Sequence, residues 1–104
     1  MKTKHYEIHN YAQGDEYITE SSDLSNIDDI WTTKIPWDFK PAEGYFPTPP
    51  LKFYNRKEAV RIKDMIKSAR LDEWNRNSYI YKRYGDRKPN WKVYEFESSF
   101  LPDQ

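Results

Sequence analysis

The chain has 104 residues with 17 Lys/Arg against 17 Asp/Glu, no cysteine, and 18 residues that are Phe, Trp or Tyr. That length suits one domain burying roughly 65% of its unfolded surface, and the absence of cysteine excludes a disulfide framework and a thiolate metal centre. No apolar run approaches the ~20 residues a bilayer-spanning helix needs, and the polar start, Met1 to Tyr6, lacks the apolar stretch of a signal peptide, so a soluble cytoplasmic protein is expected.

The zero net charge conceals an asymmetry. Residues 1–50 hold four Lys and nine Asp/Glu, a balance of −5, whereas residues 51–104 hold 13 Lys/Arg and eight Asp/Glu, a balance of +5. Lys4 to Tyr11 alternates, with Tyr6 and Ile8 on one side and His5, Glu7 and His9 on the other, which predicts a half-buried strand. Gly14-Asp15 supplies turn chemistry, and Tyr17 to Glu20 follows with strand-forming residues, so an N-terminal hairpin is expected.

Between Ser22 and Thr33, Ser25 with Asp28 has the form of a capping box, and Ile27, Ile30 and Trp31 fall at i, i+3, i+4. This predicts a short helix with an acidic exposed side bearing Asp23, Asp28 and Asp29. Lys34 to Lys52 carries five of the seven prolines, interleaved with Trp37, Phe39, Tyr45 and Phe46. Prolines at that density forbid a helix, yet disordered linkers are poor in aromatics, so an ordered arm that lays its rings on the core or on a partner is expected.

Asn55 to Trp74 is the most legible stretch. Asn55 and Glu58 form a capping box; Ala59, Ile62, Ile66 and Ala69 make a buried stripe; Arg56, Lys63, Lys67 and Arg70 make a cationic one beside it. Asn75, Asn77 and Ser78 stop this helix. Tyr79–Tyr84 and Trp91–Phe96 then read as two strands of a C-terminal hairpin joined through Gly85–Asn90, with residues 97–104 a loosely held tail. The sum is one α+β domain: a mostly antiparallel sheet of about four strands, formed by the two hairpins, packed on one main helix, with a short second helix and a long aromatic arm.

Catalytic patterns are sparse. His5-x-Glu7-x-His9 places three possible ligands on one strand face, but His5 and His9 stand roughly 13 Å apart in a regular strand, too far for one ion, so a solvated strand face is expected. There is no Gly-x-Ser-x-Gly, and the three glycines, at 14, 44 and 85, cannot build a phosphate loop. Spacing gives no pairing among Asp38, Glu43, Asp64, Asp72, Glu73, Glu95 and Glu97. No enzymatic activity, metal or cofactor is expected.

Charge and aromatics point to binding instead. Residues 52–92 hold 13 basic and five acidic residues among exposed-type rings, a composition suited to single-stranded nucleic acid or RNA, with Arg61, Lys63, Lys67, Lys82, Arg83, Arg87 and Lys88 as the basic surface. Against that stands an acidic half that would repel phosphate. The same surface would also dock an acidic protein. An acidic face of Asp23, Asp28, Asp29 and Asp38 could compete with nucleic acid for a basic groove, with Trp37, Phe39, Tyr45 and Phe46 as anchors.

The segment Phe53-Tyr-Asn-Arg-Lys-Glu-Ala59, opening a helix, followed by Trp91-Lys-Val-Tyr-Glu95, resembles small accessory proteins of phages and prophages, anti-CRISPR and other anti-defence inhibitors among them. The resemblance covers about 45 residues and implies a class, with no functional residue carried over. The class is small, Tyr-rich, often non-enzymatic proteins that bind and block a larger host protein or nucleoprotein complex inside a bacterial cell.

Overall fold

A computed structural model describes residues 2–83 and 85–99. Four strands, β1 (Lys2–Asn10), β2 (Asp15–Ser21), β3 (Ile30–Ile35) and β4 (Trp91–Ser99), form one antiparallel sheet in the order β3-β2-β1-β4. The main helix α1 (Arg56–Arg76) lies on one face, and a one-and-a-half-turn helix α2 (Ser78–Arg83) follows it.

Alternation along β1 sets both faces. Ile8 joins Ile18, Ile30, Phe53, Ala59, Ile62, Ile66 and Trp91 in the core under α1, while His5, Glu7 and His9 turn to the opposite face. Ile62 and Ile66 are both 0% exposed, each contributing about 1.5–3 kcal/mol by burial. Asn55 caps α1 as expected, its side chain accepting from the Lys57 and Glu58 amides. Glu58 does not complete the capping box with a bond of its own; its carboxylate lies 3.9 Å from Arg61.

Strands β1 and β2 pair only at His9 with Tyr17 and Asn10 with Glu16, and then splay. The gap is filled by residues 51–53. Tyr6 and Phe53 exchange backbone bonds of 2.6 and 2.8 Å, and the Leu51 amide donates to the Ile18 carbonyl at 2.8 Å. The turn between β1 and β2 tucks against the end of β3: at Gly14, with φ of 105°, a Cβ would stand 2.5 Å from the Ile35 carbonyl oxygen.

Several expectations are corrected. The helix expected between Ser22 and Thr33 shrinks to a single 3-10 turn, Ile27–Asp29, after which the chain enters β3. Asp23 accepts from both the amide and hydroxyl of Ser25, and the cap of the turn is Asn26, so the Ser25–Asp28 box never forms. The strand expected at Tyr79–Tyr84 is helical over Ser78–Arg83, Tyr84 lying outside the described residues, and among the described residues no C-terminal hairpin forms: β4 pairs along its whole length with β1. Asn77 ends α1 with its amide on the Glu73 carbonyl and starts α2 by accepting from Ile80 and Tyr81. Lys34 and Ile35, assigned to the arm, belong to β3. Of the tail, Glu97–Ser99 extends β4, and residues 100–104 lie outside the described residues.

Candidate functional site

The sheet face away from α1 does not present the solvated row of polar groups expected of it. His5 is 9% exposed and His9 is 3% exposed. The carboxylate of Glu7 lies between them, Oε2 at 2.7 Å from His5 Nε2 and Oε1 at 2.7 Å from His9 Nε2. The other ring nitrogen of His9, Nδ1, lies 2.6 Å from Asp15 Oδ1. Asp15, His9, Glu7 and His5 thus form one continuous chain of short bonds across β2 and β1. A neutral imidazole has one N–H, so His9 donates to both carboxylates only as the imidazolium.

Aromatic rings wall this chain. Phe96 stacks on His5 at 5.3 Å, Tyr11 stacks on His9 at 5.2 Å, and Tyr94 meets His9 edge-on at 5.7 Å. Burial is the main cause that raises Tyr11, Tyr17 and Tyr94 above the ordinary phenol value, with the nearby Asp15 carboxylate adding to each. The histidines are enclosed because strands β2 and β4 place rings on either side of β1, which alternation within β1 alone does not reveal.

The arm crosses this face. Trp37 stacks on Tyr11 at 6.1 Å, and the Tyr17 hydroxyl donates to the Thr48 carbonyl at 2.6 Å. Phe39 and Tyr45 meet edge-to-face at 5.8 Å. The arm nevertheless keeps its rings largely in solvent: Trp37 is 68% exposed, Tyr45 53% and Phe46 87%. The anchors named from the sequence therefore lie together on one segment, held to the sheet by the Trp37–Tyr11 stack, the Tyr17–Thr48 hydrogen bond and the Leu51–Ile18 backbone bond.

The acidic quartet is divided. Asp23 and Asp28 are exposed and Asp29 half-buried in the connection between β2 and β3, while Asp38 follows β3 at its other end, about 20 Å away along the strand. Hydrogen bonds from the Ser25 hydroxyl and then its amide lower Asp23 below the usual carboxylate range.

The basic set is divided too. Lys63 and Lys67 join Arg56 and Lys92 in a groove of about 360 Å³ between α1 and β4, floored by Val60, Trp91 and Val93. Arg61 pairs with Glu58, and Lys82 lies 5.6 Å over the Trp74 ring. Arg87 lines a second cleft with Arg70, Glu73, Trp74 and Trp91, and Lys88 sits beside Tyr11 and Tyr94. Arg83 is exposed on α2. Sequence reasoning missed Asp15 and Lys92 as members of these groups, because both are brought in by strand pairing.

Chemically, each ring nitrogen bonded in the chain faces a carboxylate oxygen, so none of these nitrogens is left open to a ligand. Among the described residues no group of three or more His, Asp or Glu side chains is arranged to hold a metal ion, and no helix is long and apolar enough to cross a membrane. Comparison with protein-family models, with curated proteins and with solved structures finds no match to this chain.

Proposed function

We propose that this is a small non-enzymatic binding protein that acts in the cytoplasm by occupying a surface of a larger protein or nucleoprotein complex and blocking it. The observation that carries this reading is the arm: Trp37, Tyr45 and Phe46 are mostly in solvent although the segment bearing them is tied to the sheet. Large exposed rings on a positioned loop supply what interface anchors need, namely area to bury at small cost in ordering. The resemblance of Phe53–Ala59 and Trp91–Glu95 to phage accessory proteins makes a host defence complex, of the CRISPR type among others, the class of target.

The tagged chain expressed in bacteria should co-purify with a stoichiometric host protein, and Trp37→Ala with Phe46→Ala should release that protein while leaving the thermal unfolding curve in place. Recovery of the chain alone from several hosts refutes the reading. Nucleic-acid binding is the second reading, supported by the cations Arg56, Lys63, Lys67 and Lys92 around one groove. It requires a gel shift with short DNA or RNA at low salt that weakens steeply as salt rises.

A further inference from the structure

Strand β4 is the edge of the sheet, and its outward backbone groups can be identified. Tyr6 spends its N–H and C=O on Phe53, on the β2 side of β1, so its pairing with Glu95 across the other side is the non-hydrogen-bonded kind. The same parity holds for Ile8 with Val93 and Asn10 with Trp91. The N–H and C=O of Trp91, Val93 and Glu95 therefore point away from β1, and none has a backbone partner among the described residues. A row of unpaired groups of this kind is a template for another strand.

The groove beside this edge has one sign of charge. Arg56, Val60, Lys63 and Lys67 are spaced 4, 3 and 4 residues apart, which puts them on one stripe of α1 facing the edge, and all four line the groove with Lys92. No Asp or Glu lines it, although the Lys63 ammonium is paired with the neighbouring Asp64 carboxylate, an intrahelical pair that a docked carboxylate would have to displace or share. Lys63 and Lys67 are separated by about 6 Å of helical rise, close to the ~6.7 Å between alternate residues of a strand. Trp91, the one ring lining the groove, is 1% exposed, so no base can stack there, and a nucleic acid offers no backbone N–H to complete a ladder.

We infer that the β4 edge and this groove bind an extended peptide segment of a partner protein, with acidic side chains at alternate positions, as a fifth strand. The inference rests on the binding role proposed above and names the chemistry of what is bound at a surface separate from the arm. Strand addition supplies affinity through the backbone, and the cations select carboxylates at the right spacing.

The test uses the full chain and a labelled peptide alternating Glu with Val or Thr, against the same peptide with Lys for Glu. At low salt the acidic peptide should raise anisotropy and shift the Val93 and Glu95 amide resonances, and the Lys peptide should do neither. Glu95→Pro removes one outward N–H without touching the ladder to β1 and should weaken binding by about tenfold. Lys63→Glu with Lys67→Glu should weaken it by at least about tenfold and flatten its salt dependence. Trp37→Ala with Phe46→Ala should leave peptide affinity unchanged. Absence of peptide binding at low salt overturns the inference, as does binding that survives Glu95→Pro. A dimer of this chain that is lost in Glu95→Pro also overturns it, as does an oligonucleotide displacing the peptide from the groove. A host partner released by the arm variant while the peptide fails to bind removes only this inference; peptide binding with no host partner removes only the arm's role.

Discussion

Replacing Glu7 by Ala would remove the one acceptor shared by His5 and His9. Both bonds are 2.7 Å, and the Glu7 side chain is only 12% exposed, so water does not readily replace what is lost. A hydrogen bond to a charged group contributes about 1.5–3 kcal/mol, and the enclosed Nε2 atoms of His5 and His9, left without their acceptor while His9 Nδ1 keeps Asp15, add a desolvation cost. Together these give a loss of about 3–5 kcal/mol, a large part of the roughly 5–15 kcal/mol a domain of this size has. Equilibrium urea unfolding at neutral pH, followed by tryptophan fluorescence, measures it directly. The His9→Phe background provides the internal check, since a Phe ring fits among Tyr11, Tyr17, Tyr94 and Phe96 while keeping Glu7 bonded to His5. In that background Glu7→Ala should cost about half as much, a coupling of about 1.5–2.5 kcal/mol. A cost below about 1 kcal/mol, or strict additivity, would place Glu7 with ordinary surface residues and refute the reasoning.

Two further outcomes follow from the geometry. Tyr11, Tyr17, Tyr81 and Tyr94 are all raised above the phenol value of about 10, so the folded state favours the neutral ring and the unfolded chain ionises first. Stability should be fully present below that value and decline above it, and these four tyrosines should ionise above the phenol value in a titration that resolves individual rings; ionisation of all four at that value would contradict this. Asn55→Ala removes the acceptor for the Lys57 and Glu58 amides and should lower stability by about 1 kcal/mol, with Asn55→Gly costing only a few tenths, measured by the same unfolding curves.

What the sequence disclosed followed the range of the forces involved. α1 was legible because its period, its Asn55 cap and its buried Ala59, Ile62 and Ile66 are all local signals. The first half of β3 shares helical spacing with Ile27 through Ile30 and Trp31, whereas its pairing with β2 depends on partners at Asp15–Ser21. The Tyr and Ile content of α2 favours a strand, yet the segment is helical, with the Asn77 carbonyl accepting the Ile80 and Tyr81 amides as its first backbone bonds. The composition of β4 marks it as a strand, but sequence proximity points to the neighbouring segment as its partner, whereas the true partner, β1, lies at the other end of the chain. The same limit applied to the site. Alternation put His5, Glu7 and His9 together, while their burial depends on Asp15, Tyr94 and Phe96 from other strands.

The insertion of residues 51–53 between β1 and β2 bears on how the chain acquires its shape. The hairpin at the N-terminus is laced at two residue pairs and otherwise held open, so it has little to gain from closing before the Phe53 segment arrives. That arrival closes a long loop, and contacts distant in sequence are entropically costly to form, so the joining of the two halves is the step expected to be slow. It also fixes both ends of the arm, at Ile35 on β3 and at Leu51 on β2. The arm is therefore a closed strap rather than a free tether, so the orientation of its rings is set by the same step that completes the sheet.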